Sequence, residues 1–347
     1  MSVIADFRSD TVTKPTPEMR RAMAEAEVGD DVYGDDPTVN RLQEVAAALL
    51  GKEMGLFVPS GTMGNALALT VHTQSGDEVL MDSEAHSMIY EVGMPAVIAR
   101  VLTRQFHSVS GVPDVADVAA SFHEESLHSA RTSLLVLENT HNRAGGAVIP
   151  LPIMRNLQTE ARLHDAKLHL DGARLFNAVI ATGIPAREFA DCADSVTFCL
   201  SKGLGCPIGS VLCGTREFIG RARRVRKMLG GGMRQAGILA AAGLYALENH
   251  VDRLADDHRN ARKLAAGIRG IPGVRLAAEV PTNMVYFDAT ESAEAFAQEL
   301  GKFGVMCLAS SPNRIRMVTH LGIGSEDVEM AINAIQTVAG RRGQWAA

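Results

Sequence analysis

The sequence of 347 residues predicts an α/β fold: a mostly parallel seven-stranded sheet in a large domain, followed by a smaller α+β C-terminal domain. Three observations carry this expectation. Seven short apolar runs (56–58, 78–81, 96–102, 133–137, 166–170, 196–200 and 209–213) alternate with stretches long enough for a helix or loop crossover, the pattern of a doubly wound sheet. Several runs end in polar residues, as strands do at the ligand-binding carboxyl edge of such a sheet. The length itself suggests roughly two domains.

Composition narrows the classes of function. Hydrophobic residues make up 46% and charged residues 21%, ample for a sizeable core, and the net charge of −6 gives no pull toward nucleic acid or anionic membrane. No apolar run approaches the ~20 residues of a membrane span. Asp6 and Arg8 fall where a signal peptide needs its apolar core, so a cytoplasmic protein is expected. Five cysteines, Cys192, Cys199, Cys206, Cys213 and Cys307, lack paired short spacings and read as buried thiols, with no disulfide framework or metal site.

The elements follow in order. Residues 7–13 are polar and extended ahead of Pro15 and Pro17, so 1–16 reads as an arm. Pro17 starts a helix reaching Glu27. Residues 29–37 form a turn-rich acidic loop, usually just solvated, whose Tyr33 has the reach for a ligand or partner subunit. Thr38 to Leu50 is an amphipathic helix ended by Gly51. In Pro59-Ser60-Gly61-Thr62-Met63-Gly64-Asn65 a strand gives way to a helix start, where free N–H groups and small residues suit a phosphate. A plain N-cap by Ser60 or Thr62 explains that pattern nearly as well, and Walker A and GxGxxG spacings are missing. His86 follows the strand 78–81, either to stack on a planar cofactor or as a satisfied structural residue. His128 has no local pattern.

Residues 221–227 are the one basic cluster, without the aromatic interleaving of a nucleic-acid surface. Gly230-Gly231-Gly232 is a hinge-like turn before a helical stretch, 238–268, broken near Asn249, which leads into the second domain. There, 270–285 and 303–319 read as strands and turns around a helix. Residues 314–320 alternate, so Arg314 and Arg316 share a face, as surface residues or as a carboxylate grip. Residues 340–347 read as frayed. The divisions are thus an arm (1–16), a large domain (17–250) and a small domain (251–347).

The most specific chemistry lies in 171–203. Asp171 closes the strand 166–170 and Lys202 follows 196–200, so a strand–crossover–strand unit would bring acid and amine to one sheet edge. Each residue alone reads as a helix cap or a loop lysine. Together they suit pyridoxal phosphate (PLP): the lysine holds the aldehyde covalently, and the aspartate keeps the ring nitrogen protonated so that the ring accepts electrons.

Taken together, FRSDTVT (7–13), PSGTMGN (59–65), His86 in EAHS, ENTHN (138–142), HLDGARLFNA (169–178), SKGLGCPIGS (201–210), KMLGGGMRQAG (227–237) and RMVTHL (316–321) resemble, in the same order, the low-specificity L-threonine aldolases. These are fold-type I PLP enzymes, aspartate aminotransferase-like in architecture. The resemblance implies retro-aldol cleavage of L-threonine, L-allo-threonine and related β-hydroxy amino acids to glycine and an aldehyde. It also implies a homotetramer with shared active sites. By that likeness Lys202 anchors the cofactor, Asp171 pairs with the pyridinium and His86 stacks on the ring. Ser60, Gly61 and Thr62 hold the phosphate, with Arg234 reaching it from a neighbouring chain. Ser9, Arg174 and Arg316 grip the substrate carboxylate. His128, the favoured base, lies near the substrate hydroxyl; His86 or a water are the other candidates. Asn142-Arg143-Ala144 departs from the usual Asn-Gly. A β-eliminating lyase, a racemase or an idle PLP-binding regulator are the alternatives.

Overall fold

The computed structural model describes residues 4–290 and 292–342. The arm contains β1 (Ala5–Asp6) and a short 3-10 turn, and leads to α1 (Pro17–Ala24) and α2 (Pro37–Leu50), each started by a proline and a capping side chain, Thr16 and Asp36. The large domain continues through β2 (Met54–Val58), α3 (Gly61–His72), β3 (Glu78–Asp82), α4 (His86–Ile89), β4 (Leu102–Phe106), α5 (Val115–Ala119), β5 (Thr132–Glu138) and α6 (Leu151–Leu163). Next come β6 (Lys167–Asp171), α7 (Leu175–Thr182), α8 (Ala186–Ala190), β7 (Ser195–Cys199), β8 (Ser210–Gly214), α9 (Arg216–Met228) and α10 (Gly237–Asn249).

The seven strands lie in the order β2-β8-β7-β6-β5-β3-β4. Only β8 opposes the rest, pairing antiparallel with β2 and β7, so six strands send their carboxyl ends to one edge. The main core fills the space between this sheet and α1, α2, α6 and α10, with Phe57, Leu135, Leu170 and Phe198 buried. Gly64 on α3 lets the helix lie close to β7: a Cβ there would stand 2.6 Å from Thr197 Cγ2.

After α11 (Leu254–Ile268) the small domain places β9 (Val274–Leu276), β10 (Met284–Ala289), β12 (Leu308–Ser311) and β13 (Arg314–Val318) in an antiparallel sheet of order β12-β13-β10-β9. Its core is closed by α11, α12 (Ala293–Lys302) and α13 (Ser325–Arg342). Strand β1 pairs in parallel with β11 (Val305–Met306), and the buried Phe7 joins this core, so the arm is built into the small domain.

Two expectations are corrected. The run 96–102 is not a strand: Pro95–Ala99 forms a π-helical turn, Arg100 takes a left-handed conformation, and pairing begins at Leu102. The run's apolar residues are partly outside the core, with Val97 72% exposed, so its hydrophobicity did not mark burial in a sheet. Residues 340–342 are helical and only 343–347 lie outside the described residues. The acidic loop and the basic cluster, read separately in the sequence, meet in space. Buried Arg226 pairs with Asp31 at 2.6 Å and donates to the Phe57 carbonyl, while Arg234 pairs with Asp30 at 2.8 Å. Those cations are anchors for the loop.

Candidate active site

The carboxyl edge gathers the predicted residues because β3, β5, β6 and β7 run parallel in it. Asp171, the last residue of β6, is 3% exposed. Its Oδ1 accepts from the Ala173 N–H at 3.0 Å and its Oδ2 from Asn65 Nδ2 at 2.8 Å, which leaves lone pairs for another donor. His86 opens α4 past the end of β3, its backbone N–H donating to Glu138 Oε2 at 2.7 Å. Its Nδ1 meets Glu91 Oε1 at 2.9 Å, and single ligand atoms of His86, Glu91 and Asp171 lie within 4.8 Å of one another. Burial opposes the His86 charge, but the bond to Glu91 and the nearby Asp171 outweigh it and raise the imidazole pKa. Burial likewise raises the Glu91 carboxyl.

Lys202 stands just past β7. Its carbonyl accepts from Thr13 Oγ1 at 3.0 Å, its charge is felt by both His86 and Asp10, and among the described residues no carboxylate forms an ion pair with its amine. At the start of α3, Ser60 Oγ caps the Met63 N–H at 3.1 Å, leaving the first N–H groups of the helix free for an anion. A Cβ on Gly61 would lie 2.7 Å from Cys199 Sγ, and the same space is bordered by Ser210 Oγ, buried and without a partner. Free amides at a helix start packed closely on β7 through Gly61, with an orphaned hydroxyl behind it, fit a phosphate, and the Asp171 carboxylate fits a protonated ring nitrogen. The residues present therefore fit PLP.

Where the small domain meets the edge, Arg174 is clasped by Asp10 through two 2.7 Å bonds, Nε to Oδ2 and Nη2 to Oδ1. Burial alone would raise the Asp10 carboxyl; Arg174 reverses this and holds it well below its ordinary range. Arg316 donates to the Arg8 carbonyl and to Asn142 Oδ1, both at 3.1 Å, while its buried Nε has no partner. Arg316 thus keeps a free Nε and Arg174, bonded to Asp10 through Nε and Nη2, a free Nη1. Ser9 Oγ caps the 3-10 turn through Thr11 N–H and borders Asp10. Beyond Asn142, Arg143 bridges Glu84 and the Tyr90 hydroxyl beside a cavity of about 200 Å³ that Tyr286 and Arg314 also line.

His128 is not brought into this cluster. It lies in an exposed loop before β5, near the amino edge of the sheet, where Glu78 N–H binds the Arg131 carbonyl and His123 pairs with Glu78. Arg234 is held by Asp30, its side chain 54% exposed. The sequence reading missed Asn65, Glu91, Asp10 and Ser210. Asp10, Asn65 and Ser210 each stood inside a quoted motif without being singled out, and Glu91 belongs to no pattern.

The beta-eliminating lyase family matches residues 6–290. A probable low-specificity L-threonine aldolase of Arabidopsis thaliana is 43% identical over 342 residues, covering 96% of each chain. A low specificity L-threonine aldolase of Escherichia coli is 45% identical over 324 residues, covering 93% of this chain and 96% of its own. Among solved structures, a threonine aldolase of Leishmania major superposes with a TM-score of 0.83 at 20% identity, covering 96% of this chain and 99% of that one.

Proposed function

This chain belongs to the beta-eliminating lyases, and among them to the low-specificity L-threonine aldolases, and from that premise we propose that it is a PLP-dependent lyase cleaving L-threonine, L-allo-threonine and related β-hydroxy-α-amino acids to glycine and an aldehyde. The observation that carries the reading is the convergence of Asp171, His86 and an unpaired Lys202 on one sheet edge, beside the open start of α3.

Lys202 would hold the cofactor aldehyde covalently, Asp171 would keep its ring nitrogen protonated, and His86 would support the ring. Ser60, Gly61 and Thr62 receive the phosphate at the positive end of α3, with Ser210 Oγ as a further donor. Bound there, PLP supplies an electron sink for the pair released when the Cα–Cβ bond breaks. Ser9, Arg316 and the Nη1 of Arg174, whose other nitrogens Asp10 holds, fix the substrate carboxylate. Holding the carboxylate fixes the orientation of the scissile bond. A base takes the β-hydroxyl proton as the carbon–oxygen bond becomes the carbonyl of the departing aldehyde, and Cα gains a proton to give glycine. His86 is the candidate base within this chain; His128, at the far edge, would act only on a neighbouring copy. In the same homotetramer Arg234 reaches a neighbour's phosphate, and Tyr33, 77% exposed, faces the partner. No helix among the described residues is long and apolar enough to cross a membrane.

The test is direct. Purified protein reconstituted with PLP should be yellow, should be trapped by borohydride at Lys202, and should release acetaldehyde from threonine in a coupled assay. Pyruvate and ammonia, or the mirror-image amino acid, would instead mark an eliminating lyase or a racemase. A Lys202→Ala protein that still binds PLP covalently at this site would refute the anchor.

A further inference from the structure

Behind the cluster lies a chain of buried polar groups that the proposed chemistry does not use. Asn65 Nδ2 donates at 2.8 Å both to Asp171 Oδ2 and to Glu91 Oε1. Its Oδ1 meets His169 Nε2 at 3.2 Å; His169 Nδ1 meets Ser195 Oγ at 2.8 Å; and Ser195 Oγ meets His72 Nε2 at 2.8 Å. Asn65, Glu91, His169, Ser195 and Asp171 are each 4% exposed or less.

The direction of every proton in this chain follows from its middle. A turned amide would point its oxygen at two carboxylate oxygens, so the Asn65 NH₂ must face Asp171 and Glu91. The Asn65 oxygen then requires a proton on His169 Nε2. Burial keeps His169 neutral, its pKa lowered to about 4, so its Nδ1 accepts from the Ser195 hydroxyl, and Ser195 accepts from His72 Nε2. At the other end, the ionised carboxylate of Glu91 has only lone pairs to offer at Oε1, which accepts from Asn65 and from His86 Nδ1. In that ionised state His86 bears a proton on Nδ1. Its Nε2 has no hydrogen-bond partner among the described residues.

We propose that Glu91, oriented by Asn65, is a positioning residue that fixes His86 in its Nδ1–H form and leaves Nε2 as the proton acceptor for the substrate hydroxyl. Because the same Asn65 amide also holds Asp171, one side chain sets both the acceptor histidine and the electron-sink carboxylate. The proposal rests on the aldolase reading only for the identity of the proton. The groups facing His86 are Glu91 and Tyr90 on its own segment, Asp171 from β6, Lys202 after β7, and Glu138 of β5 through the backbone N–H.

The test compares PLP-reconstituted parent, Glu91→Gln and Glu91→Leu. The readouts are long-range proton–nitrogen spectra of isotope-labelled histidine, with the His86 signals identified by their loss in His86→Asn, and the pH profile of threonine cleavage. Above its raised titration midpoint the parent should show a single neutral Nδ1–H form. Glu91→Gln keeps an acceptor and should keep that form, while loss of the carboxylate lowers the His86 titration midpoint by about 1–3 pH units. Glu91→Leu should show mixed forms and a kcat reduced roughly 10- to 100-fold, with KM little changed, the scale of a misplaced general base. A single Nδ1–H form with the parent midpoint in Glu91→Leu would overturn the relay. A mixed form with parent turnover would overturn the role of Nε2. If the parent itself released no aldehyde, the aldolase reading would fall, and the nitrogen spectra would still decide the relay.

Discussion

Replacing Asp10 by Asn strips the counter-charge from Arg174 while keeping the shape of the pair. The two side chains are 0% and 5% exposed and share two 2.7 Å bonds, so neither water nor another carboxylate stands ready to replace the lost partner. Leaving one charge of such a buried pair uncompensated costs about 3–5 kcal/mol. At roughly 2–4 °C per kcal/mol for a domain of moderate size, the transition should fall by roughly 6–20 °C. Urea unfolding and calorimetry of Asp10→Asn, Arg174→Gln and the double variant provide the assay. The double variant should lose much less than the sum of the singles, because it leaves no orphaned charge. The pH dependence has a definite sign. The Asp10 carboxyl is depressed in the folded state, so its contribution is complete above the unfolded value of about 3.9 and is lost as pH falls through the lower folded value. The gap between parent and Asp10→Asn should therefore be constant near neutrality and narrow only below about pH 4. A single variant within about 1 kcal/mol of the parent at pH 7 would place the pair with weak surface bridges and refute the reasoning.

Other expectations follow from the same geometry. Asp171→Ala should retain PLP yet lose at least about 100-fold in threonine turnover, read as glycine formed per enzyme; near-parent activity would contradict its place beside the ring nitrogen. Gly61→Ala drives a methyl into Cys199 Sγ and should cost about 1–3 kcal/mol or weaken PLP retention, with recovery in the Gly61→Ala/Cys199→Ala pair, measured by unfolding and by cofactor titration. Arg316→Lys removes the Nε donor and the planar fork, so KM for threonine should rise about tenfold or more while kcat changes less.

How much of this was legible in the sequence varies by residue. Asp171 and Lys202 stood at the ends of short apolar runs that read as buried strands, and a crossover between those strands was enough to place both at one edge. The run 96–102 misled because its apolar residues cover a helical turn next to Pro95, and composition cannot tell a wetted turn from a buried strand. Asn65 and Glu91 were illegible for another reason. Their roles come from meeting across 26 residues of chain inside the large domain, so the motif that ends in Asn65 gives no hint of its partner, and Glu91 lies in no motif. His128 is clear in its sequence position, and within one chain the parallel sheet puts its loop at the edge away from Asp171.

Strand β1 is sewn into the small domain through β11, and a few residues later Asp10 clasps an arginine of the large one. The amino end therefore works as a strap across the cleft, so any tilt of the small domain is transmitted to Ser9, Arg174 and Arg316 together. Trimming the chain ahead of Thr11 would slacken that strap while leaving the sheet edge with Asp171 and Lys202 in place. A shortened protein should thus hold its cofactor and lose its purchase on the amino acid.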